Sequence, residues 1–375
     1  MKRVKETTLQ IDLDALTHNY RFLRAKLDQQ TRFMAVVKAF AYGSESAAVS
    51  RHLEALGVDY FAVAYTAEGK ALREAGVTAP VLVLHPLPSH FEELVEHCLE
   101  PALYSEKVLK EFTETAESLK LSAYPVHLKF NTGLNRLGFG TDQLGLITTL
   151  LQQTGAIRVR SAFSHLVASE DLREKEFTLQ QIGTFRAAAE KLKEELGYSF
   201  LLHQLNTSGI LNYAASAQFD MVRSGIGLYG FGNDPRFRQD LKPIMSLKSV
   251  ISQIHELQPG DNLGYNRSFT ASDVTRTATI PLGHADGIGR IYGKGKGFLM
   301  VHGEKAPIIG NVCMDMLMID VTGISCEEGD EVEVFGQEIT AADLAAGAGT
   351  ISYELITAVS QRVKREILGG KTVDR

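Results

Sequence analysis

The sequence predicts an α/β protein with an N-terminal (β/α)8 TIM barrel followed by a C-terminal mostly-β domain. Three observations carry that expectation. Eight short, nearly uninterrupted apolar runs recur between residues 33 and 225, as strands buried on both faces of a parallel sheet require. Amphipathic stretches separate most of them, and eight strands alternating with helices over roughly 200 residues match the count and length of such a barrel. Beyond residue 241 the texture changes to strand-like segments broken by turn residues. An open doubly wound sheet is the competing arrangement for the first part. The expected domains are 12–240 for the barrel and 241–375 for the β domain, with 1–11 joining the latter.

The elements follow in order. Leu13, Leu16, Tyr20, Leu23 and Leu27 recur at helical spacing within 12–29. The strands are FMAVVKAF (33–40), YFAVAY (60–65), VLVLH (81–85), PALY (101–104), YPVHLKF (124–130), VRSAFSHL (159–166), FLLHQLN (200–206) and MVRSG (221–225). Helices are expected over 45–56, 67–76 and 174–196. In the second part TATIPLG, GFLMVHG, APIIGNVCMDMLMIDVT and EVEVFG read as strands, and turns fall at PGD (259–261), HGEK (302–305) and Gly329-Asp330. A closing helix is expected over 351–367, before Gly369-Gly370.

Of 375 residues, 44% are hydrophobic and 22% charged, with 39 Lys+Arg against 45 Asp+Glu and a net charge of −6. That acidic balance argues against a general nucleic-acid surface. The opening MKRVKETTLQ lacks a signal-like apolar core, and no run reaches the length of a membrane span. The three cysteines, Cys98, Cys313 and Cys326, show neither disulfide nor zinc spacing, and no H-E-x-x-H or comparable metal motif occurs. A cytoplasmic protein without membrane or nucleic-acid partners is expected.

Barrel enzymes keep their chemistry at the C-terminal ends of the strands. Lys38, Tyr65, His85, Tyr104, Lys129, His165, Asn206 and Arg223 fall at those ends. Singly, each has an ordinary explanation: a strand-end lysine usually points to solvent, and a lone histidine is usually a hydrogen-bonded structural residue. Eight at equivalent positions are harder to dismiss, because a buried lysine must be neutralised, paired or bonded. Lys38, set in AVVKAFAYG, has the surroundings that depress an amine's pKa and suit it to a Schiff base with an aldehyde. After strands 7 and 8, NTSG (206–209) and SGIG (224–227) offer hydroxyls at Thr207 and Ser208 and free backbone N–H groups, a phosphate cradle. A reactive lysine facing a phosphate site suggests pyridoxal phosphate (PLP).

The stretches KAFAYG, HLKFNTGLNRLGF, SHL at His165, MVRSGIGLYGF, GYNRSF and GNVCMDMLMIDVT lie in an order that resembles bacterial alanine racemase across nearly the whole chain. KAFAYGS, AVAYTAEG and IIGNVCMDM are most similar to the racemase unit that follows a muramoyl ligase in some bacterial polypeptides. The resemblance implies a PLP-dependent isomerase, a homodimer with shared active sites, that interconverts L- and D-alanine and supplies D-alanine for peptidoglycan. By the same resemblance Lys38 holds PLP and acts as one acid/base, and Tyr265, reaching in from the second subunit, is the other. Tyr42, Thr207, Gly225, Ile226 and Tyr353 match phosphate-holding positions, and Asn206 belongs to the same cofactor-binding set. Arg223 faces the pyridine nitrogen with support from His165, while Arg136 and the backbone around Met314 take the substrate carboxylate. Lys129 matches a lysine often carbamylated in the family.

Racemisation removes the Cα proton from one face and returns one to the other, so two flanking acid/base groups are chemically required. An always-charged guanidinium opposite the ring nitrogen discourages its protonation and limits side reactions. The sequence departs from the commoner pattern at Phe40, Ser44, Asn131, Ser224, His284 and Gly264-Tyr265-Asn266. None of these removes a group the chemistry needs. Phe40 and His284 bear on pocket shape and substrate breadth. The alternatives are a racemase of broader specificity (serine, lysine), a decarboxylase of similar fold, which usually sets a carboxylate where Arg223 stands, and a non-catalytic PLP-binding protein.

Overall fold

The structure, a computed structural model, describes residues 4–370. Residues 1–3 and 371–375, which the expected β domain includes, lie outside the described residues. The eight predicted apolar runs all become strands of one closed parallel barrel. Counting from a first strand β1 (Thr8–Asp12), these are β2 (Arg32–Val36), β3 (Tyr60–Val63), β4 (Val81–Val83), β5 (Glu100–Leu103), β6 (Tyr124–Lys129), β7 (Ile157–Phe163), β8 (Leu201–His203) and β9 (Met221–Ser224). β9 closes back on β2 from Arg32↔Met221 to Ala35↔Ser224. The strands are short and buried along most of their length because helices cover the outside and side chains fill the inside. Helices occupy Ser46–Ala55, Thr66–Glu74 and Lys175–Leu196, close to the ranges read from amphipathic spacing.

One register shift matters for the interior. Between β6 and β7, Val126 pairs with Val159 but His127 pairs with Ser161, so Arg160 is the extra residue of a bulge. Bulges re-aim side chains. Here the shift leaves His127 and Ser161 both wholly buried while Arg160 stays exposed.

The remaining strands are β10 (Met245–Val250), β11 (Gln253–Leu257), β12 (Asn262–Leu263), β13 (Phe269–Thr270), β14 (Thr275–Ile280), β15 (Phe298–Val301), β16 (Glu304–Ile309), β17 (Leu317–Asp320), β18 (Glu331–Phe335) and β19 (Lys364–Leu368). Nine strands form one sheet in the order β11-β14-β17-β16-β15-β18-β10-β1-β19, and β12 and β13 form a separate hairpin. β1 sits between β10, antiparallel, and β19, parallel. It passes directly into the helix Leu13–Arg24, whose first N–H groups are capped by the Asp12 carboxylate.

The closing helix over 351–367 is not observed in full. Helix covers only Ser352–Ala358, and β19 follows. Two tertiary partners override the helical spacing. β1 offers a parallel edge pairing from Thr8↔Lys364 to Asp12↔Leu368. Arg365 donates to the carbonyls of Gly43, Ser44, Val359, Ser360 and Val363, holding the chain where the helix has ended.

Candidate active site

A cavity of about 530 Å³ opens at the C-terminal end of the barrel strands. Lys38, Tyr42, Lys129, Arg136, His165, Asn206, Thr207, Arg223, Gly225, Ile226 and Tyr353 all line it. These are eleven of the thirteen residues to which the family resemblance assigns a role. The two others, Tyr265 and Met314, do not line it; they are 74% and 60% exposed. Tyr265 opens a tight turn between β12 and β13, where Gly264, Asn266 and Arg267 all have positive φ. Of the strand-end residues, Tyr65 and His85 line the cavity, as does Ser208, whereas Tyr104 does not.

Lys38 does not end its strand. It lies two residues beyond β2 and opens a one-turn left-handed helix in which Ala39, Phe40, Ala41 and Tyr42 all have φ between 51° and 55°. Left-handed backbone costs side-chain-bearing residues about 1–2 kcal/mol each, so the surroundings must hold the turn. Glu68 does so at its start, accepting from Ala39 N at 2.7 Å and from Ala64 N at 2.7 Å. Gly43 ends it at φ 84°, where a Cβ would meet the Ile356 carbonyl at 2.1 Å. Strain of this kind concentrates at functional sites. Burial, and then the Arg136 charge, lower the Lys38 amine from its ordinary value, against an opposing pull from Glu68.

On one side of the cavity hydroxyls and amides converge. Thr207 begins the helix Thr207–Ala217 and Asn206 caps it, its side-chain oxygen accepting from Gly209 N and from Ser169 Oγ. Asn206 therefore orders the cradle rather than presenting a free oxygen to it. The Thr207 hydroxyl pairs with Ser224 Oγ at 3.0 Å and accepts from Gly227 N at 3.2 Å. The Tyr42 ring stacks on Tyr229 with centroids 4.5 Å apart, and Tyr353 lies at 6.1 Å. Burial pushes the Tyr353 phenol up to about 12 and Tyr42 higher still, so both remain hydroxyls. At Gly225 a Cβ would fall 2.2 Å from Tyr42 Oη, so only glycine lets the backbone come this close. Helix N-terminus, hydroxyls and bare backbone are the donor set of a phosphate site.

Across the cavity stand four cationic groups, Lys38, Lys129, Arg136 and Arg223, and no carboxylate is among the lining residues. Neither Lys129 Nζ nor Arg136 hydrogen-bonds or ion-pairs with any described residue. Burial and the charges of Arg136, Arg223 and Lys38 hold Lys129 down to about 8. Cations gathered without counter-charges call for anions, here a phosphate and a carboxylate.

Arg223 is the best anchored of the four. It donates through Nη1 to His203 Nδ1 at 2.6 Å and to the His203 carbonyl at 3.1 Å. Nη2 donates to the carbonyls of Ser164 and Gln204. Nε has no partner among the described residues and remains available to a ligand. His165, expected to support Arg223, touches it only at 3.5 Å; the closer support is His203. Burial pulls Arg223 down to about 9, and burial plus the Arg223 charge holds His165 neutral, at about 3. Sequence reasoning missed both Glu68 and His203. Each lies in a quoted segment, but only the packed barrel shows what it touches.

A lysine of lowered pKa and an anion cradle in one cavity, in a barrel joined to a β domain, fit a PLP enzyme of the barrel-fold class. The alanine racemase N-terminal domain matches residues 11–233 and its C-terminal domain residues 244–367. The chain belongs to the alanine racemase family. It is 36% identical over 372 residues to "Alanine racemase 2" of Caldanaerobacter subterraneus subsp. tengcongensis, covering 96% of this chain and 95% of that one. Among solved structures, the alanine racemase of Clostridium difficile 630 superposes with a TM-score of 0.91 at 32% identity, covering 98% and 97% of the two chains. The Bartonella henselae alanine racemase, described with covalently bound pyridoxal phosphate, has a TM-score of 0.87 at 26% identity, covering 97% and 99%.

Proposed function

We infer that the protein interconverts L- and D-alanine with PLP by a two-base mechanism. The observation that carries this reading is the single cavity that unites a lysine of lowered pKa, a hydroxyl-and-amide anion cradle and an arginine with a free Nε. When bound, PLP supplies an electron sink that acidifies the Cα–H bond of an attached amino acid.

The residues then divide the work. Lys38 tethers the cofactor and moves a proton at one face of Cα; its lowered pKa keeps a share of it as free amine. Tyr42, Thr207, Gly225, Ile226 and Tyr353 hold the phosphate, with Asn206 ordering the helix start beneath it. Arg223 turns Nε toward the ring nitrogen and keeps it unprotonated, and neutral His165 adds bulk without charge. Arg136 and the backbone at Met314 bind the substrate carboxylate. Lys129, partly free amine near pH 8, adds carbon dioxide and releases a proton, becoming an anion that orients Arg136.

Tyr265 serves the opposite face of Cα from a second copy of the chain. Its exposure in its own subunit, on a turn held by Asn311 Nδ2 donating to the Tyr265 carbonyl at 3.2 Å, suits a residue that completes a neighbour's site. The assembly proposed is a homodimer, acting in the cytoplasm and supplying D-alanine to peptidoglycan. No helix among the described residues is long and apolar enough to cross a membrane. We further propose, from KAFAYGS and IIGNVCMDM, descent from a unit joined to a muramoyl ligase; immunoblotting of source cells would show whether the chain travels alone.

The decisive experiment is the absorbance spectrum of the purified protein, then incubation with L-alanine in deuterated water and chiral analysis. A cofactor band, D-alanine formation and deuterium at Cα are expected. A cofactor band without exchange at Cα would leave a binding protein and overturn the racemase reading. Serine and lysine run beside alanine measure breadth.

A further inference from the structure

Below Arg223 a file of polar side chains runs through the barrel interior toward the opposite end of the strands. His203 Nε2 meets Ser161 Oγ at 2.8 Å, Ser161 Oγ meets His127 Nδ1 at 2.5 Å, and His127 Nε2 meets Glu100 Oε2 at 2.6 Å. Tyr60 Oη donates to the same carboxylate oxygen at 3.1 Å and accepts from Arg160 Nε at 3.0 Å. His127, Ser161 and His203 are wholly buried, and Tyr60 and Arg223 nearly so. Glu100 opens β5 and lines a cleft at the far end of the barrel, together with Arg158 and Arg160.

The direction of every bond is fixed by chemistry. A guanidinium only donates, so Arg223 forces His203 Nδ1 to be the acceptor, which puts the ring proton on Nε2. That proton points at Ser161 Oγ, and because Nε2 of a neutral His127 carries the proton that faces Glu100, its Nδ1 is the acceptor for the serine hydroxyl proton. His127 in turn donates from Nε2 to Glu100, which as a carboxylate only accepts. On the other side Arg160, again donor-only, drives Tyr60 to donate to the same oxygen. Two arginines feed one carboxylate, and reversing the file would set donor against donor at Arg223 and acceptor against acceptor at Glu100. Such a file polarises cooperatively in a low-dielectric interior, and a carboxylate behind a histidine fixes its tautomer.

We propose that Glu100 is a positioning residue for the reaction: through His127 and Ser161 it keeps the Nε2–H of His203 bonded and its Nδ1 in place as the acceptor that aims Arg223 into the cavity. This rests on the reading that Arg223 faces the cofactor ring. Glu100→Gln tests it, because an amide can also donate, and so permits the reversed His127 ring, with Nδ1–H facing Ser161, that a carboxylate forbids. Ser161→Ala breaks the file in the middle, and Ser161→Thr keeps the hydroxyl.

The test is histidine 15N NMR on the holoenzyme, paired with cofactor absorbance and steady-state kinetics. In the unsubstituted protein His127 and His203 should both carry the proton on Nε2. Glu100→Gln should bring a share of His127 to Nδ1–H, shift the cofactor absorbance maximum and lower kcat about tenfold with KM nearly unchanged. Ser161→Ala should match that loss and Ser161→Thr recover most of it. An Nδ1–H ring at either histidine of the unsubstituted protein overturns the file itself. Altered tautomers in the variants with an unmoved cofactor spectrum overturn instead the placement of Arg223 against the ring, and with it the role proposed for Glu100.

Discussion

Replacing Gly225 with alanine should weaken PLP binding while leaving the barrel folded. A Cβ there would lie 2.2 Å from Tyr42 Oη and 2.8 Å from Cζ. The Tyr42 hydroxyl must therefore retreat by about 1.2 Å to reach ordinary contact. It has little room to do so. Its ring stacks on Tyr229 at 4.5 Å, and Tyr229 is itself fully buried and donates to the Val36 carbonyl. Overpacking of this kind costs about 1–3 kcal/mol. The part that displaces the phosphate-side hydroxyl appears as affinity, a loss of roughly 5- to 100-fold. Titrating apoprotein with PLP while following absorbance measures it. Tyr42→Phe removes the closest clashing atom but leaves Cζ, so the double variant should recover part of the packing and not the hydroxyl, giving non-additive losses. An alanine variant that binds PLP as tightly as the parent would refute the placement of this backbone against the phosphate.

Lys38→Ala should abolish both the covalent-cofactor absorbance and racemisation, and turnover surviving without that band would remove Lys38 from its role. Tyr265→Phe should slow proton removal from one alanine enantiomer far more than from the other; primary deuterium isotope effects measured in each direction decide, and small symmetric losses would count against two bases. Acid should destabilise the apoprotein through its buried imidazoles. His165 is held to about 3 and His203 well below its ordinary value, by burial first and then by Arg223. Below pH of about 6.5 the unfolded chain binds protons that the folded one refuses, so stability falls as pH drops, by up to ~1.4 kcal/mol per pH unit for each ring. Urea midpoints between pH 7 and pH 5 should fall less steeply in His203→Gln; an identical slope would show that His203 is not held neutral.

The barrel was legible in the sequence because its strands announce themselves locally. A run such as Phe33-Met34-Ala35-Val36-Val37 is apolar on both faces, and only a covered parallel sheet uses it so. The cavity was legible for a related reason: Lys129, His165, Asn206 and Arg223 are polar residues at the same end of such runs, and parallel strands bring equal ends together. Where local pattern and long-range pairing disagreed, the pattern misled. Residues 351–367 have helical spacing, yet β19 pairs with β1 from the opposite end of the chain. No window of sequence contains both partners.

Other features had no local signal at all. The left-handed turn of Ala39-Phe40-Ala41-Tyr42 contains no glycine, and its support comes from Glu68 on the helix Thr66–Glu74, beyond the next strand. The file from Arg223 to Glu100 draws one residue from each of five strands and depends on the bulge that sets His127 opposite Ser161. Sequence by itself determined the class of fold and the cationic, hydroxyl-rich character of the pocket, since burial pattern and residue chemistry are carried residue by residue. Only the tertiary structure decided which groups hold Arg223, how Lys38 is presented, and that Tyr265 and Met314 stand outside the cavity that Lys38 lines. Those depend on barrel closure and strand register, which arise from contacts between residues distant along the chain.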